Sequence, residues 1–284
     1  MKVFQRKTSG SVVCPSCGSL VGVNDDQCYV CGRRNPSLWG FAPMLKQLGS
    51  DLGFVPVVAG ISIVVYLLTL LASGRNVTTG GGLSILAPDT AALVRFGASG
   101  AIPVFVLGNW WSVLSAAWLH GGLLHILFNM MSLRVIAPLA VDALGPGRTM
   151  ITYVVAGACG FLLSSLAAEF LPALPLLSGA GITVGASASV CGLIGVLLHY
   201  GRSGGGSMIR AQATQWAIMI AIYGVLMRGI DNLAHLGGFL GGYAMAALFN
   251  PMTRERGDHV LIGIASLILS LAAIAASLIK PLPF

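Results

Sequence analysis

Charge is what this sequence has least of. Only 9% of its 284 residues are Asp, Glu, Lys or Arg, against roughly a quarter in a soluble domain. With 56% hydrophobic residues and a mean hydropathy of +0.86, that scarcity excludes an ordinary soluble globular domain and predicts a polytopic membrane protein. Acids are scarcer than bases, 9 against 16, and none lies deep in an apolar run. That absence, with no paired half-sequence repeat, argues against a transporter. Residues 1–36 are polar and contain no apolar run of the kind a signal peptide needs, so the head is expected to stay in the cytosol.

Apolar runs near the ~20 residues that span a bilayer occur at roughly 54–73, 118–140, 150–170, 181–200, 211–228, 232–249 and 259–279. Seven spans with the N-terminus inside put Lys2, Arg6, Lys7, Arg33, Arg34, Lys46, Arg134, Arg148, Arg202, Arg210, Arg254 and Arg256 on the inner side. Arg75, Arg95, Arg228 and Lys280 fall outside. This asymmetry follows the positive-inside rule and predicts an outer C-terminus. The net charge of +7 then matches inner loops facing anionic lipid headgroups, and no nucleic-acid partner is expected.

The head carries two matched knuckles, Cys14-Pro-Ser-Cys17-Gly18 and Cys28-Tyr-Val-Cys31-Gly32. Four thiolates so paired can surround one tetrahedral Zn²⁺, and the Gly after each second Cys permits a tight turn. So short a segment has almost no core, and a structural Zn²⁺ would supply its folding energy. The alternatives are two disulfides, a redox C-x-x-C, or iron in place of zinc. A cytosolic location argues against structural disulfides, and two matched knuckles argue against a lone redox pair. Residues 37–53, with Trp39, Phe41, Met44, Leu45 and Leu48 beside Lys46 and Gln47, read as an interfacial segment on the inner leaflet or as an ordinary linker.

About 45 residues, roughly 74–117, separate the first two spans. A structureless loop that long is uncommon and tends to be functional. It ends in Trp110-Trp111, suited to a membrane interface. Its Gly97-Ala-Ser99-Gly is discounted as a nucleophile motif, because no base stands at useful spacing.

The chemistry gathers on three spans. In the second, His125, Asn129 and Ser132 are spaced i, i+4, i+7 and share a helix face, which must meet protein or water; hydrogen-bonded helix packing is the plain alternative. The fourth opens Gly181-Ile-Thr-Val-Gly185-Ala-Ser187-Ala-Ser-Val-Cys191. In the sixth, His235, Gly238 and Gly242 fall at i, i+3, i+7, and the two glycines allow a neighbouring backbone to approach closely. A Ser hydroxyl is a poor nucleophile unless a base removes its proton. Of the five His, His120, His125 and His235 fall in the outer half of predicted spans, where Ser187 lies; His199 and His259 fall at cytosolic helix ends as surface residues. Ser187 also sits near a helix N-terminus, where unpaired N–H groups favour an oxyanion. Asp231 either orients His235 from one turn away or caps the helix; the cap is simpler. With no carboxylate deep in a span, a Ser–His dyad is more economical than a triad.

The motifs resemble the rhomboid intramembrane serine proteases across roughly 54–280. The likeness rests on His120-x4-His125-x3-Asn129, Gly185-Ala-Ser187, Ala234-His235-x2-Gly238-x3-Gly242, and Arg95-Phe-Gly-Ala with Trp111 in the long loop. It implies an all-α membrane protein, a six-helix rhomboid-like bundle plus one C-terminal transmembrane helix; the small N-terminal zinc ribbon read from the knuckles precedes it. It also implies Ser187 as nucleophile, His235 as base, and His125, Asn129 and the Ser187 N–H as the oxyanion hole. The implied substrates are transmembrane proteins, cut near the outer ends of their helices. Small residues are favoured at the cut and helix-destabilising ones below it. A multi-pass plasma membrane location, of the bacterial inner-membrane type, goes with this reading.

The sequence departs from the family pattern in four places. Ala188 replaces the Gly that usually follows the nucleophile, crowding the oxyanion approach. Cys191 replaces an aromatic that stacks on the catalytic His. Trp111-Ser112 replaces a Trp-Arg pair and loses an anchoring charge. Ser189 adds a neighbouring hydroxyl without the preceding Gly. The rival reading is a non-catalytic rhomboid-like scaffold that binds membrane helices, which would be expected to lack the Ser or the His.

Overall fold

The computed structural model describes residues 6–43, 53–80, 85–172, 178–227 and 229–280. Lys2, Lys46 and Arg228 of the charge count lie outside them, as does 44–52, most of the expected interfacial segment. Trp39 and Phe41 of that segment are described, and both are exposed.

Among the described residues, seven long helices stand at the seven apolar runs: α1 (Phe54–Ser73), α2 (Leu123–Leu144), α3 (Pro146–Phe170), α4 (Ser187–Arg202), α5 (Ser207–Leu226), α6 (Asn232–Phe249) and α7 (Gly257–Ile279). The protein is an all-α membrane bundle of the six-plus-one kind with a small cysteine-bearing head. On length and composition alone, four of these helices suffice to cross a membrane: α1 with its adjoining turn, α2, α3 and α7. Helix α4, with 16 residues, is too short by that measure. It is the bundle's centre, buried continuously from Ala188 to Leu197.

Two predicted helix starts move inward. The second span begins at Leu123 rather than 118, so His120 lies in the turn ahead of α2. The fourth begins at Ser187 rather than 181. The reason for the second shift is backbone pairing. Ser99 and Thr183 exchange hydrogen bonds of 3.0 and 2.7 Å, and the N–H groups of Ala101 and Ile102 donate to Ala180 and Gly181. A chain committed to that ladder cannot also be helical.

The expected glycine packing is present. A Cβ on Gly238 would run into the Ala188 carbonyl oxygen, and one on Gly242 into that of Gly192. Helices α6 and α4 therefore touch backbone to backbone, as small residues permit in a membrane bundle. Helix α3 holds α6 at both ends. At one, Ser164 Oγ donates to Asp231 Oδ2 at 2.6 Å. At the other, buried Arg148 donates to the Phe249 and Thr253 carbonyls at 3.0 and 2.8 Å.

The long loop is not structureless. It contains an antiparallel pairing of β3 (Thr78–Thr79) with β4 (Ile85–Ala87), helical turns at Thr90–Arg95 and Ser112–Ser115, and a π-helical turn at Ile102–Val106. In the head, β1 (Ser11–Val13) and β2 (Leu20–Gly22) pair antiparallel, with Val12 opposite Val21. Its core is small, comprising Val12, Val21, Val23 and Ala42 around Cys14 and Cys28.

Candidate active site

Ser187 is the first residue of α4, so its N–H and those of the next residues lack intrahelical acceptors. His235 lies in the first turn of α6. The close approach of the two helices brings His235 Nε2 to 2.8 Å from Ser187 Oγ. Both residues are half-buried, so the pair is sheltered without being sealed. With the proton on Nδ1, Nε2 is free to accept from the hydroxyl. Among the described residues, no side chain or backbone group hydrogen-bonds His235 Nδ1.

Asp231 does not reach that ring. Its Oδ1 accepts from the Ala234 N–H at 2.9 Å, and its Oδ2 from Ser164 Oγ. It is the helix cap, and both of its oxygens are taken up away from the imidazole.

His125 is fixed from behind. The Gly121 N–H donates to its Nδ1 at 3.2 Å, which leaves the proton on Nε2 and makes that atom a donor. Gly185 (φ +132°) supplies the gap in front: a Cβ there would lie 2.7 Å from His125 Nε2 and 3.7 Å from Ser187 Oγ. Both atoms thus face one small space that a side chain would fill. Asn129, one turn along α2, is buried, and its Nδ2 donates to the His125 carbonyl at 2.8 Å. His125 therefore meets the Ser187 turn, while the hydrogen bond of Asn129 stays within its own helix. His120 is wholly buried with its ring edge-on to His125, centroids 5.3 Å apart.

The departures noted in the sequence have physical outcomes. The Ala188 methyl faces α3, where a Cβ on Gly160 would stand 2.9 Å from it, so it packs between helices instead of crowding the hydroxyl. Ser189 Oγ also points to α3, into the space over Gly157, and is no competitor for His235. Cys191 is buried in α4. His199 and His259, expected at the surface, are partly buried, edge-on to Tyr243 and Phe249.

Sequence reasoning missed what grips the turn before Ser187. The Gly185 N–H donates to the Ala116 carbonyl at 3.0 Å. No motif marks such a backbone bond.

In the head, the four sulfurs of Cys14, Cys17, Cys28 and Cys31 lie within 4.8 Å of one another. Cys14 to Cys31 is 3.8 Å and Cys17 to Cys28 is 3.5 Å. Tetrahedral sulfur at ~2.3 Å from a metal implies sulfur–sulfur edges near 3.8 Å, so this donor set fits one ion. The knuckles are equivalent: the N–H groups of Gly18 and Gly32 donate to the Cys14 and Cys28 carbonyls at 2.9 Å. Both glycines have positive φ, +76° and +70°. Hydrogen bonds from the Ser19 hydroxyl and backbone push the Cys17 thiol down to about 6, while, against the backbone hydrogen bond at Arg33, desolvation and the neighbouring thiols push Cys31 up to about 11.

Residues 107–252 match the Rhomboid domain family model. That is just over half of the chain, and the chain belongs to the rhomboid family. It is 29% identical over 197 residues to "Rhomboid protease GluP" of Bacillus subtilis, covering 68% of this chain and 36% of that one. It is 32% identical over 181 residues to "RHOMBOID-like protein 1" of Arabidopsis thaliana, covering 58% and 41%. Against "RHOMBOID-like protein 5" of the same plant it is 34% identical over 148 residues, covering 48% and 43%. The chain thus spans less than half the length of these relatives.

Proposed function

We propose that this chain is an intramembrane serine endopeptidase that cuts transmembrane protein substrates near the outer ends of their helices. Ser187 is the nucleophile, His235 the base, and His125 and Asn129 the side-chain oxyanion donors. The observation that carries this reading is the 2.8 Å separation of Ser187 Oγ and His235 Nε2, on helices far apart in sequence. Membership of a family that includes a relative named as a protease adds to it.

In the reaction, neutral His235 takes the Ser187 proton at Nε2 as Oγ adds to the scissile carbonyl carbon. The carbonyl electron pair moves onto oxygen, which is stabilised by the Ser187 N–H and the His125 Nε2–H, with Asn129 supplying a further N–H. Collapse expels the amine, which receives the proton from the imidazolium and leaves an ester on Ser187. Water, deprotonated by the same Nε2, then hydrolyses that ester and regenerates the hydroxyl.

Residues 1–36 form a cytosolic ribbon holding one structural Zn²⁺ on Cys14, Cys17, Cys28 and Cys31, joined through 37–53 to the membrane domain of 54–280. The chain lies in a plasma membrane of the bacterial inner-membrane type, with its N-terminus cytosolic and its C-terminus outside.

The test uses the full chain reconstituted with a helical membrane substrate. Cleavage is expected from the wild type and from Ser189→Ala, and none above background from Ser187→Ala or His235→Ala. Cleavage that persists in either of the last two overturns the mechanism. A wild type that binds the helix and never cuts it supports the scaffold reading.

A further inference from the structure

Helix α7 meets the outer loop through polar contacts spaced along one face. Ser270 and Ser277, seven residues apart, point the same way. Ser270 Oγ accepts from Trp118 Nε1 at 3.0 Å, and Ser277 Oγ accepts from Trp111 Nε1 at 3.0 Å. One turn beyond Ser277, Lys280 Nζ donates to the Leu107 carbonyl at 2.6 Å and sits 5.3 Å from the centre of the Trp111 ring. That distance is within reach of a cation–π contact. The residue after Trp111 is Ser112, so no cation follows that tryptophan in the sequence. The far end of the chain brings one to the same ring.

What these contacts hold is itself bound to the reactive turn. Trp111 and Trp118 bracket the segment 112–117, whose Ala116 carbonyl accepts the Gly185 N–H. Ser115 Oγ donates to the Gly97 carbonyl at 2.7 Å, tying that segment to the start of the Ser99–Ile102 ladder, which pairs with Ala180–Thr183. Two short paths therefore run from α7 through the loop to the two sides of the turn that ends at Ser187.

We propose that α7 is a positioning helix. Ser270, Ser277 and Lys280 clamp the outer loop, and the loop in turn fixes the Ala180–Ser187 segment that presents the hydroxyl. None of the three touches the reacting atoms; they act through Trp111 and Trp118. In calling the outcome catalytic, the inference rests on the proteolytic reading above, so its test includes a readout that does not.

The experiment is amide hydrogen exchange on the full chain in lipid nanodiscs, comparing wild type, Ser277→Ala/Lys280→Met and Lys280→Arg. In the double variant the amides of Ser99, Ala101, Ile102, Thr183 and Gly185 should exchange about tenfold faster, the scale of losing one or two modest hydrogen bonds. Amides in the middle of α4, Val196 to Leu198, should keep wild-type rates. Lys280→Arg, which preserves both donor and cation, should leave the loop amides as in wild type. Unchanged loop exchange in the double variant overturns the inference, as does an equal rise throughout α4, which would mean general loosening. Where the wild type cleaves a membrane substrate, kcat of the double variant should fall roughly tenfold as the hydroxyl is misplaced. A wild-type kcat in that variant overturns the clamp while leaving the protease reading intact. A wild type that cleaves nothing sinks the protease reading, and the exchange data still decide the clamp.

Discussion

Gly238 on α6 faces the Ala188 carbonyl on α4 with no room for a Cβ between them. Gly238 is one turn from His235, and Ala188 is the residue after Ser187, so this contact sets the spacing of the imidazole and the hydroxyl. Any atom added at Gly238 must push the imidazole and the hydroxyl apart. Gly238→Ala should therefore lower kcat/KM by about 100-fold, the scale of a misplacement near 1 Å. A variant that keeps more than half of wild-type activity would separate the helix contact from the chemistry.

Asp231 separates a dyad from a triad. In a triad its removal strips the base of its orienting partner, at a cost in kcat of about 10⁴-fold. Here its oxygens serve the Ala234 N–H and Ser164. Asp231→Asn, which keeps an oxygen for the cap, should retain most of the activity. Asp231→Ala should lower unfolding stability by about 1 kcal/mol, as lost N-caps do, without a 10⁴-fold kinetic loss. Steady-state kinetics beside thermal unfolding distinguishes the two.

His125 is placed to donate from Nε2 into the gap that Gly185 leaves. Replacement by Ala should cut kcat by about 10²–10³-fold, with KM for the substrate little changed, as for loss of one oxyanion donor. A KM effect with kcat intact would make His125 a substrate-binding residue.

The head should carry one zinc per chain, measured by elemental analysis of purified protein. Cys14→Ser and Cys28→Ser should each release it. A chelator should unfold the ribbon, whose four other core residues are too few to hold it. Protein that purifies without metal would refute the assignment.

Much of this is legible in the residues. The run at 232–249 is a helix over that same range, and Gly238 and Gly242 do bring it against α4, because close packing in a membrane bundle leaves a periodic trace of small residues. The head is legible because sulfur ligands need fixed spacings. The starts of α2 and α4 are not. Residues 118–122 and 181–186 are apolar enough to pass as parts of spans, while backbone groups among them bond elsewhere, Thr183 to Ser99 and Gly185 to Ala116. The hold of Ser277 and Lys280 on the loop joins residues more than 160 positions apart. Neither member advertises the other, so no local pattern reveals it.

Helix α6 is strapped to α3 at both ends, by Asp231 on Ser164 and by Arg148 on the carbonyls of Phe249 and Thr253. Two anchors this far apart prevent it from pivoting as well as from sliding. The imidazole thus rides on a rail whose two ends are fastened to α3, so any shift of α6 against α3 would have to break an anchor.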